Sequence, residues 1–510
     1  MLARFFARLS PLWAVVALFV GLTLPQALLG LPVAAAAVGP LPALIVLAIT
    51  GALMTIAAAA EGEALVRDGE FRREGGYFGK LVERYLGRRA TVIPDALAAL
   101  RTSLGALGAY VGLSVTLAAL TGLPRVVWGL VALGAVAALL LRGGLRVPSS
   151  LGAALGLASL PLLAAVAAIA VVHGGGDLSA ADDLSAESLG GVAGLAVMMF
   201  ISNVYVVQIA HEQLPRAPGG RALVLGSALG TILLTALAAA WLLATSAALR
   251  PEDLSGEVGT VLGPLADETG AVVTVLGTVL TVLLLGLGIE RTAIAVMHLT
   301  AERLPEGSRV LAPVAPLAVF LIGEGLLAAD AVSFSGILGV AGIATNVLLA
   351  LALPLLLLLA ARREGDVRPG PGAVVPLFGA PAAVWSIVVA AGCCWCCSRR
   401  CCPTRCSSRS PRRSRSQRSS SPFCWRAVGS RHDGSTGHAR GLPPRPGGAR
   451  DVGVAASHVS GWAQLRLPGF APRARAGAGR LRRDRDGRGQ PARADPVARA
   501  APPGHDRARS

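Results

Sequence analysis

Charged residues and cysteine are scarce in most of this chain. Only 15% of its 510 residues are charged, whereas soluble domains contain about a quarter. Residues 1–392 contain no cysteine, and Lys80 is the only lysine in the sequence. A phosphate-binding loop, a His/Glu metal motif and a Ser-His-Asp arrangement are also missing, which disfavours an ATP-driven pump. We therefore expect no soluble enzyme, no cofactor and no metal site.

Long apolar runs fill the first three-quarters of the chain instead. The sequence is 53% hydrophobic with a mean hydropathy of +0.61, and each run is long enough to cross a ~30 Å hydrocarbon core as a helix. We predict an all-α polytopic membrane protein with a transporter domain over residues 1–392. Its eleven transmembrane helices, numbered as spans one to eleven, are 11–37, 41–61, 95–121, 125–142, 149–172, 191–211, 221–248, 270–297, 309–327, 332–361 and 374–392.

The composition changes abruptly at residue 393. Residues 1–392 hold 22 basic and 24 acidic residues, whereas residues 393–510 hold 25 basic and 6 acidic residues and all 8 cysteines. The junction Cys393-Cys-Trp-Cys-Cys397 fits the codons TGC TGC TGG TGC TGC, which in a shifted frame read Leu-Leu-Val-Leu. We interpret the Arg/Ser/Cys-rich tail 393–510 as a disordered frameshift product that interrupts span eleven.

Two other interpretations of the tail stay open. Zinc binding by Cys394, Cys397 and their neighbours would normally need a two-plus-two spacing, which adjacent cysteine pairs do not give. The Arg/Ser-rich stretch 408–421 is typical of a nucleic-acid-binding or phosphorylated arm. We favour the frameshift and expect no nucleic-acid partner. The nucleotide sequence of the gene is the test, since a shifted frame without an apolar span would refute the frameshift.

Basic residues segregate between alternate loops. With the N-terminus in the cytoplasm, the inner segments carry 18 Lys and Arg residues, and the outer segments carry only Arg125 and Arg250. The outer loops 173–190 and 249–269 are acidic instead. This positive-inside pattern predicts a multi-pass protein of the cell (plasma) membrane with a cytoplasmic N-terminus.

The layout of the spans has internal symmetry. Spans one to five (11–172) and six to ten (191–361) form two halves of similar length. A long polar segment follows the second span of each half, at 62–94 inside and at 249–269 outside. Two such halves in opposite orientation are typical of an inverted-repeat transporter, which binds its substrate where the first helix of each repeat is broken. The sequence thus predicts a five-plus-five bundle with an eleventh helix.

Span one contains a candidate break near its middle. Gly21 and Pro25 weaken the helix, and Pro25 lacks a backbone donor. Thr23 and Gln26 supply polar side chains at the same place. The alternative is a simple proline kink.

Polar side chains also interrupt the apolar sequence of span six. Such side chains are costly in a membrane unless they are paired or functional, and here they are Ser202, Asn203, Tyr205 and Gln208. The alternative is that they stabilise the bundle by interhelical hydrogen bonds. Tyr110 of span three is a further candidate for the site, with a hydrogen bond to its own helix as the alternative.

Four short motifs follow one another along the chain. They are Gly21-x-x-Leu24-Pro25-x-Ala27, Tyr77-Phe-Gly-Lys-Leu…Leu86-Gly87, Ala210-His211-Glu212…Leu214-Pro215 and Ser333-Phe-Ser-Gly-Ile-Leu…Gly342…Leu353-Pro354. In this order they resemble the amino acid/auxin permease and hydroxy/aromatic amino acid permease families of the amino acid–polyamine–organocation superfamily. The resemblance covers about residues 11–392 and departs at Ala210, where many relatives have Gly.

The resemblance implies a fold and a function. The fold is the five-plus-five inverted repeat with an eleventh helix, and the function is amino acid import with H⁺ or Na⁺ as the coupling ion. By position, the first broken helix would be formed by Gly21, Thr23 and Pro25. The second would be formed by Ser202, Asn203 and Tyr205.

Four ionisable residues are candidates for gating or coupling. Arg101, Glu290 and Arg291 lie at a similar predicted depth in spans three and eight, so they suit an inner gate; a static ion pair is the alternative. His211, beside Glu212 at the inner end of span six, is a candidate for proton coupling. An interfacial position is the alternative for that residue.

These features predict secondary active transport of neutral or aromatic amino acids by alternating access. The substrate carboxylate would meet N–H groups at Gly21–Pro25, and its ammonium would meet carbonyls and Asn203 or Tyr205. A cationic substrate is disfavoured because no acid is predicted at mid-membrane. The alternatives are a membrane-embedded transferase, for which only His211 and Glu212 qualify, and a non-transporting receptor or scaffold. The lipid bilayer is the other expected partner.

Overall fold

A computed structural model describes residues 8–24, 26–74, 78–141, 149–178, 184–200, 202–305, 308 and 311–375. Within these ranges the chain is helical and has no strand. Six helices are long and apolar enough to cross a membrane, namely Pro40–Arg67, Arg88–Thr121, Leu151–His173, Arg221–Ala248, Ala271–Ala301 and Phe334–Glu364. The prediction of an all-α, membrane-embedded protein is therefore confirmed. Residues 376–392 of span eleven and the tail 393–510 lie outside the described residues.

The helices occur in the order of the predicted spans. They are α1 (Pro11–Thr23), α2 (Leu31–Ala35), α3 (Pro40–Arg67), α4 (Gly69–Glu74), α5 (Phe78–Leu86), α6 (Val92–Thr121), α7 (Arg125–Leu141), α8 (Ser149–His173), α9 (Ala186–Met199), α10 (Ser202–Gln213), α11 (Arg221–Ala248), α12 (Pro251–Leu254), α13 (Leu262–Thr269), α14 (Ala271–Arg303), α15 (Val314–Ala328), α16 (Phe334–Ala341) and α17 (Leu353–Glu364). A π-helical stretch, Gly342–Ala352, joins α16 to α17. Four shorter apolar helices occupy the positions of spans one, four, six and nine.

Spans one and six are each interrupted. α1 ends at Thr23, and a 3-10 turn over Gln26–Leu29 precedes α2. Between α9 and α10, Phe200 leaves the helical conformation with φ −102° and ψ 64°. We call these interruptions the first break and the second break. Each leaves backbone N–H and C=O groups outside the helical hydrogen-bond ladder.

Glycines bring both broken spans into close contact with another helix. A Cβ on Gly156 of α8 would overlap the carbonyl oxygen of Gly21 in α1. A Cβ on Gly342 would overlap the carbonyl oxygen of Gly194 in α9. Small residues allow the backbones of membrane helices to approach this closely. The two breaks are therefore held against the bundle by the same kind of contact.

The remaining helix contacts surround these two broken spans. α1 packs on α8 and α11, whereas α9 and α10 pack on α3 and α9 packs on α16. α6 lies along α14, and α3 lies along α11. The long helices thus form a frame that brings the two breaks together.

The π-helical stretch contacts the second break. Asn346 is fully buried, and its Nδ2 amide donates to the Val197 carbonyl oxygen at 3.5 Å and to the Met198 sulfur at 3.4 Å. π-Helical turns are frequent at functional sites. Asn346 therefore holds the last turn of α9 directly before the helix breaks.

Ion pairs close the end of the bundle where α3 and α17 end. The Glu63 carboxylate is fully buried and accepts from Arg362 Nη2 at 2.8 Å, from Arg67 Nε at 2.9 Å and from the Val375 N–H at 2.8 Å. We call these four residues the Glu63 latch. The latch ties the end of α3 to the segment that follows α17.

Helix α5 extends this closure. Its apolar residues Leu81, Val82 and Tyr85 are buried, and Arg84 pairs with Asp68 at 2.9 Å. Burial and the neighbouring Asp68 carboxylate raise the pKa of Tyr85. Because α5 packs against α17, its apolar face is covered by the protein itself.

A short segment, residues 255–261, covers the other end of the bundle. We call it the capping segment. The Val258 carbonyl accepts from the Phe334 N–H at 2.8 Å, and the Val261 N–H donates to the Leu29 carbonyl at 3.1 Å. Backbone hydrogen bonds thus join the capping segment to the second half of span one and to the start of α16.

Alanine at Gly156 or Gly342 should destabilise the protein. The added Cβ would push the two backbones apart, and overpacking of this kind costs about 1–3 kcal/mol. Gly134→Ala is the matched control, because no described atom lies within 4 Å of a Cβ there and alanine favours the helix. Thermal unfolding in detergent should show a lower Tm for the first two variants only. Equal Tm values for all three variants would contradict the close approach.

Removing the charge of Glu63 should also destabilise the protein. Glu63→Gln weakens the hydrogen bonds from both arginines, and hydrogen bonds to charged groups contribute about 1.5–3 kcal/mol. Glu70→Gln is the control, because the Glu70 side chain is 51% exposed and lies 3.4 Å from Arg84. Its effect should stay within ~0.5 kcal/mol. Denaturant unfolding in detergent measures both, and a Glu63→Gln effect as small as the control would refute the latch.

Candidate functional site

A cavity lies between the two breaks. Its volume is about 70 Å³, and a water molecule needs roughly 10–15 Å³ on this scale, so it holds several waters or one compact solute. It is lined by Gly21, Leu22, Thr23, Leu24, Gln26, Ala27, Gly156, Met198, Met199, Tyr205, Leu284, Leu287, Gly288, Arg291 and Thr292. Residues from α1, α8, α9, α10 and α14 therefore meet at one place.

Three polar atoms of this lining are buried without a hydrogen-bond partner among the described residues. They are Thr23 Oγ1, Gln26 Oε1 and Arg291 Nη2. Buried polar groups in native proteins are nearly always paired, so each exception needs an explanation. Three exceptions around one cavity give it hydrogen-bonding capacity that water or a polar ligand can use.

Arg291 reaches from α14 to the first break. Its Nη1 donates to the Leu22 carbonyl oxygen at 2.8 Å, and its guanidinium lies 5.9 Å from the centroid of the Tyr205 ring. A Cβ on Gly152 would lie 2.6 Å from Arg291 Nη2, so the glycine makes room for the cation. Arg291 thereby satisfies one carbonyl of the broken span, and its Nη2 has no partner among the described residues.

Gln26 lies where α6 and α14 face the first break. Its Oε1 occupies the space beside Gly288, and its Nε2 lies 4.0 Å from the position of a Cβ on Gly105. Met198, Met199, Leu284 and Leu287 form the apolar part of the lining. The cavity thus has a polar side at the first break and an apolar side between α9 and α14.

A buried acid is linked to this cavity through Arg101 and Tyr205. The sequence predicts that span two ends at residue 61. α3 instead continues to Arg67, so Glu61 lies within the helix and not at its end. Glu61 is 1% exposed and Arg101 is 5% exposed. Arg101 interacts electrostatically with both Glu61 and Tyr205. In the sequence, the feature that could have identified Glu61 is its position directly after the apolar run Ala57–Ala60.

The cavity includes several of the predicted substrate-binding residues. Those that line it are Gly21, Thr23, Gln26 and Tyr205. Pro25 lies outside the described residues, as do the side chains of Ser202 and Asn203, whose backbone begins α10. Gln208 is half-buried and lies outside the lining.

Tyr110 lies away from the cavity. Its hydroxyl donates to Glu324 Oε1 of α15 at 2.8 Å, and its ring lies 5.0 Å from the ring of Phe320. The hydroxyl thus bonds to another helix and not to its own, and a role of Tyr110 in substrate binding stays a prediction. Tyr110 therefore joins α6 to α15 and does not touch the cavity.

The predicted gating residues occupy three different surroundings. Arg291 lines the cavity and Arg101 faces Glu61, whereas Glu290 is half-buried and interacts electrostatically with Arg291. His211 is exposed, and its ring stacks on Phe71 with 4.4 Å between centroids. Arg291 is therefore the one of these four residues that lines the cavity, and the gate stays a prediction.

This arrangement can bind a small molecule that carries an anionic group and a hydrogen-bond donor. Arg291 suits the anionic group, while Thr23 and Gln26 offer acceptor oxygens. No protein-family model matches the chain, and no curated protein matches it either. The chemistry of the cavity is therefore the basis for assigning a function.

Proposed function

We propose that this protein is a secondary active transporter that carries neutral amino acids across the cytoplasmic membrane by alternating access. The observation that supports it most is the set of three unpartnered polar atoms around one cavity, on Thr23, Gln26 and Arg291. Transporters of the broken-helix type bind their substrates at such interruptions. The proposed coupling ion is H⁺ or Na⁺.

The packing scheme supports the five-plus-five inverted repeat within this proposal. Span one packs on spans five and seven, and span six packs correspondingly on spans ten and two. Gly21 contacts Gly156 as Gly194 contacts Gly342. Each relation in the first half has its counterpart five spans later, as an inverted repeat requires. The full bundle would have about eleven helices, with the N-terminus in the cytoplasm.

An amino acid fits the polar side of the cavity in one orientation. Its carboxylate would accept from Arg291 Nη2, and its ammonium would donate to Gln26 Oε1 and Thr23 Oγ1. This differs from the sequence-based prediction, which gives the carboxylate only backbone N–H groups at the first break. The guanidinium disfavours a cationic substrate by charge repulsion. The methionines and leucines of the lining would contact an apolar side chain.

Described residues make contacts that can close both ends of the bundle around this cavity. The Glu63 latch closes one end, and the capping segment closes the other. Alternating access requires that each closure opens in turn while the other holds. The proposed transport cycle therefore alternates between release of the latch and release of the capping segment.

Uptake into proteoliposomes tests the transport function. The purified full chain should take up a radiolabelled neutral amino acid saturably and accumulate it when a H⁺ or Na⁺ gradient is imposed. Competition with unlabelled amino acids, amines and carboxylic acids identifies the groups that the site requires. Saturable uptake that needs both the carboxylate and the ammonium is expected. If no amino acid of a broad panel were taken up or exchanged, the proposal would be refuted.

Arg291→Gln should weaken substrate binding. Loss of a hydrogen bond to a charged group costs about 1.5–3 kcal/mol, which corresponds to a KM about 10–100-fold higher. Arg125→Gln is the matched control, because Arg125 also donates to a carbonyl oxygen, that of Leu327 at 3.0 Å, but lies outside the cavity. Its KM should stay unchanged. Equal KM values for wild type and Arg291→Gln would exclude Arg291 as the carboxylate partner.

A further inference from the structure

Glu61 has an environment that suits a group that changes its charge. Its side chain is 1% exposed, and both carboxylate oxygens lack a hydrogen-bond partner among the described residues. An ionised carboxylate without hydrogen bonds is very costly in apolar surroundings, and the group normally avoids that cost by taking up a proton. Burial without a hydrogen-bond donor therefore favours the neutral form of Glu61.

Glu63 makes the contrast clear. It lies two residues further along α3, is equally buried, and accepts from Arg67, Arg362 and Val375. The Glu63 carboxylate can remain charged because each oxygen has a donor. Glu61 has no such set of donors. The two acids therefore differ in their ability to stay charged, although they lie on the same helix.

Arg101 makes the ionised form of Glu61 attainable. It is the charged group that faces Glu61 electrostatically, and it also interacts with Tyr205. A buried ion pair offsets part of the desolvation cost of its members. Glu61 therefore has two attainable states: a neutral acid, and a carboxylate paired with Arg101.

The helices that pack on α3 bring no competing charge to Glu61 among the described residues. α10 contributes Tyr205, which faces Arg101, and His211, which stacks on Phe71. Other ionisable groups have other contacts: Arg362 of α17 binds Glu63, Arg221 of α11 lies against Gly372, and Glu70 of α4 pairs with Arg84. The charge of Glu61 is therefore governed by Arg101 and by its own proton.

Tyr205 connects this pair to the cavity. Its ring lies 5.9 Å from the Arg291 guanidinium, and it also interacts with Arg101. Tyr205 itself lines the cavity. It lies in the first turn of α10, the helix that follows the second break. A shift of Arg101 toward or away from Glu61 would therefore change the surroundings of the substrate site.

We propose that Glu61 is the binding site of the coupling proton. This rests on the proposed transport function and names its driving ion. A proton from one side of the membrane binds a Glu61 carboxylate oxygen as the substrate occupies the cavity. The same proton leaves to the other side after the closures have alternated, and Arg101 then pairs with the carboxylate. One proton moves with each zwitterionic substrate, so transport carries one positive charge.

Two assays on the reconstituted full chain separate coupling from transport. Counterflow, the exchange of labelled for unlabelled substrate, needs no net proton movement. Accumulation in a gradient of one pH unit, with the membrane potential clamped at zero, should reach about tenfold for one proton per substrate. Glu61→Gln, which stays neutral, should keep counterflow within about twofold and lose all accumulation. Loss of counterflow in a folded Glu61→Gln protein would overturn the proposal, since Glu61 would then serve substrate binding.

Glu324→Gln is the matched control. Glu324 also lies in an apolar helix, but it accepts from Tyr110 and lies outside the cavity. Its accumulation should equal that of wild type. The proposal would be overturned if accumulation persisted in Glu61→Gln or were lost in Glu324→Gln instead. Accumulation that follows a Na⁺ gradient alone would also overturn it. Wild type without counterflow would refute the transport function itself.

Glu61→Asp decides the outcome if Glu61→Gln does not fold. Aspartate keeps a titratable carboxyl but moves it away from Arg101 by one methylene. Accumulation should persist with a shifted pH dependence of the uptake rate. A pH dependence identical to that of wild type would place the coupling proton elsewhere.

Discussion

The cost of leaving polar groups unpaired in an apolar interior is the constraint on which this structure depends. Each broken span exposes carbonyl groups, and each break receives one donor from a distant helix. Arg291 donates to Leu22 at the first break, and Asn346 donates to Val197 at the second. Side chains from elsewhere in the chain thus contribute to the stability of both breaks. Three polar atoms of the cavity lining, on Thr23, Gln26 and Arg291, still lack a partner among the described residues.

The first break could be read from the sequence, whereas the second could not be read from residue types. Gly21 and Pro25 weaken any helix, and α1 ends at Thr23 between them. Span six has no Gly or Pro between Gly194 and Pro215, yet its helix ends at Met199. The nearby Ser202 and Asn203 belong to residue types that compete for backbone hydrogen bonds. Only tertiary contacts such as that of Asn346 decide where such a helix opens.

Spacing along the sequence explains a partner of Glu63 but not the surroundings of Glu61. Glu63 precedes Arg67 by four residues and pairs with it, whereas the same spacing from Glu61 reaches Leu65. The sequence therefore distinguishes a locally paired acid from one that needs a distant partner. It does not reveal that Arg362 also binds Glu63 or that Arg101 interacts with Glu61, because those contacts join helices far apart in the chain. The proximity of Arg291 to the first break was hidden for the same reason.

Among the described residues, the contacts at the two ends of the bundle differ in chemistry, and the proposed alternating access would use that difference. The Glu63 latch combines ion pairs whose arginines keep some contact with solvent, since Arg67 and Arg362 are 17% and 18% exposed. Water can replace their hydrogen bonds as the latch opens. The capping segment is held by neutral bonds, including the buried pair of Thr116 and Thr260 at 3.0 Å, each contributing about 1 kcal/mol. In the proposed cycle, a ligand and a proton bound between the two sets of contacts would decide which one opens.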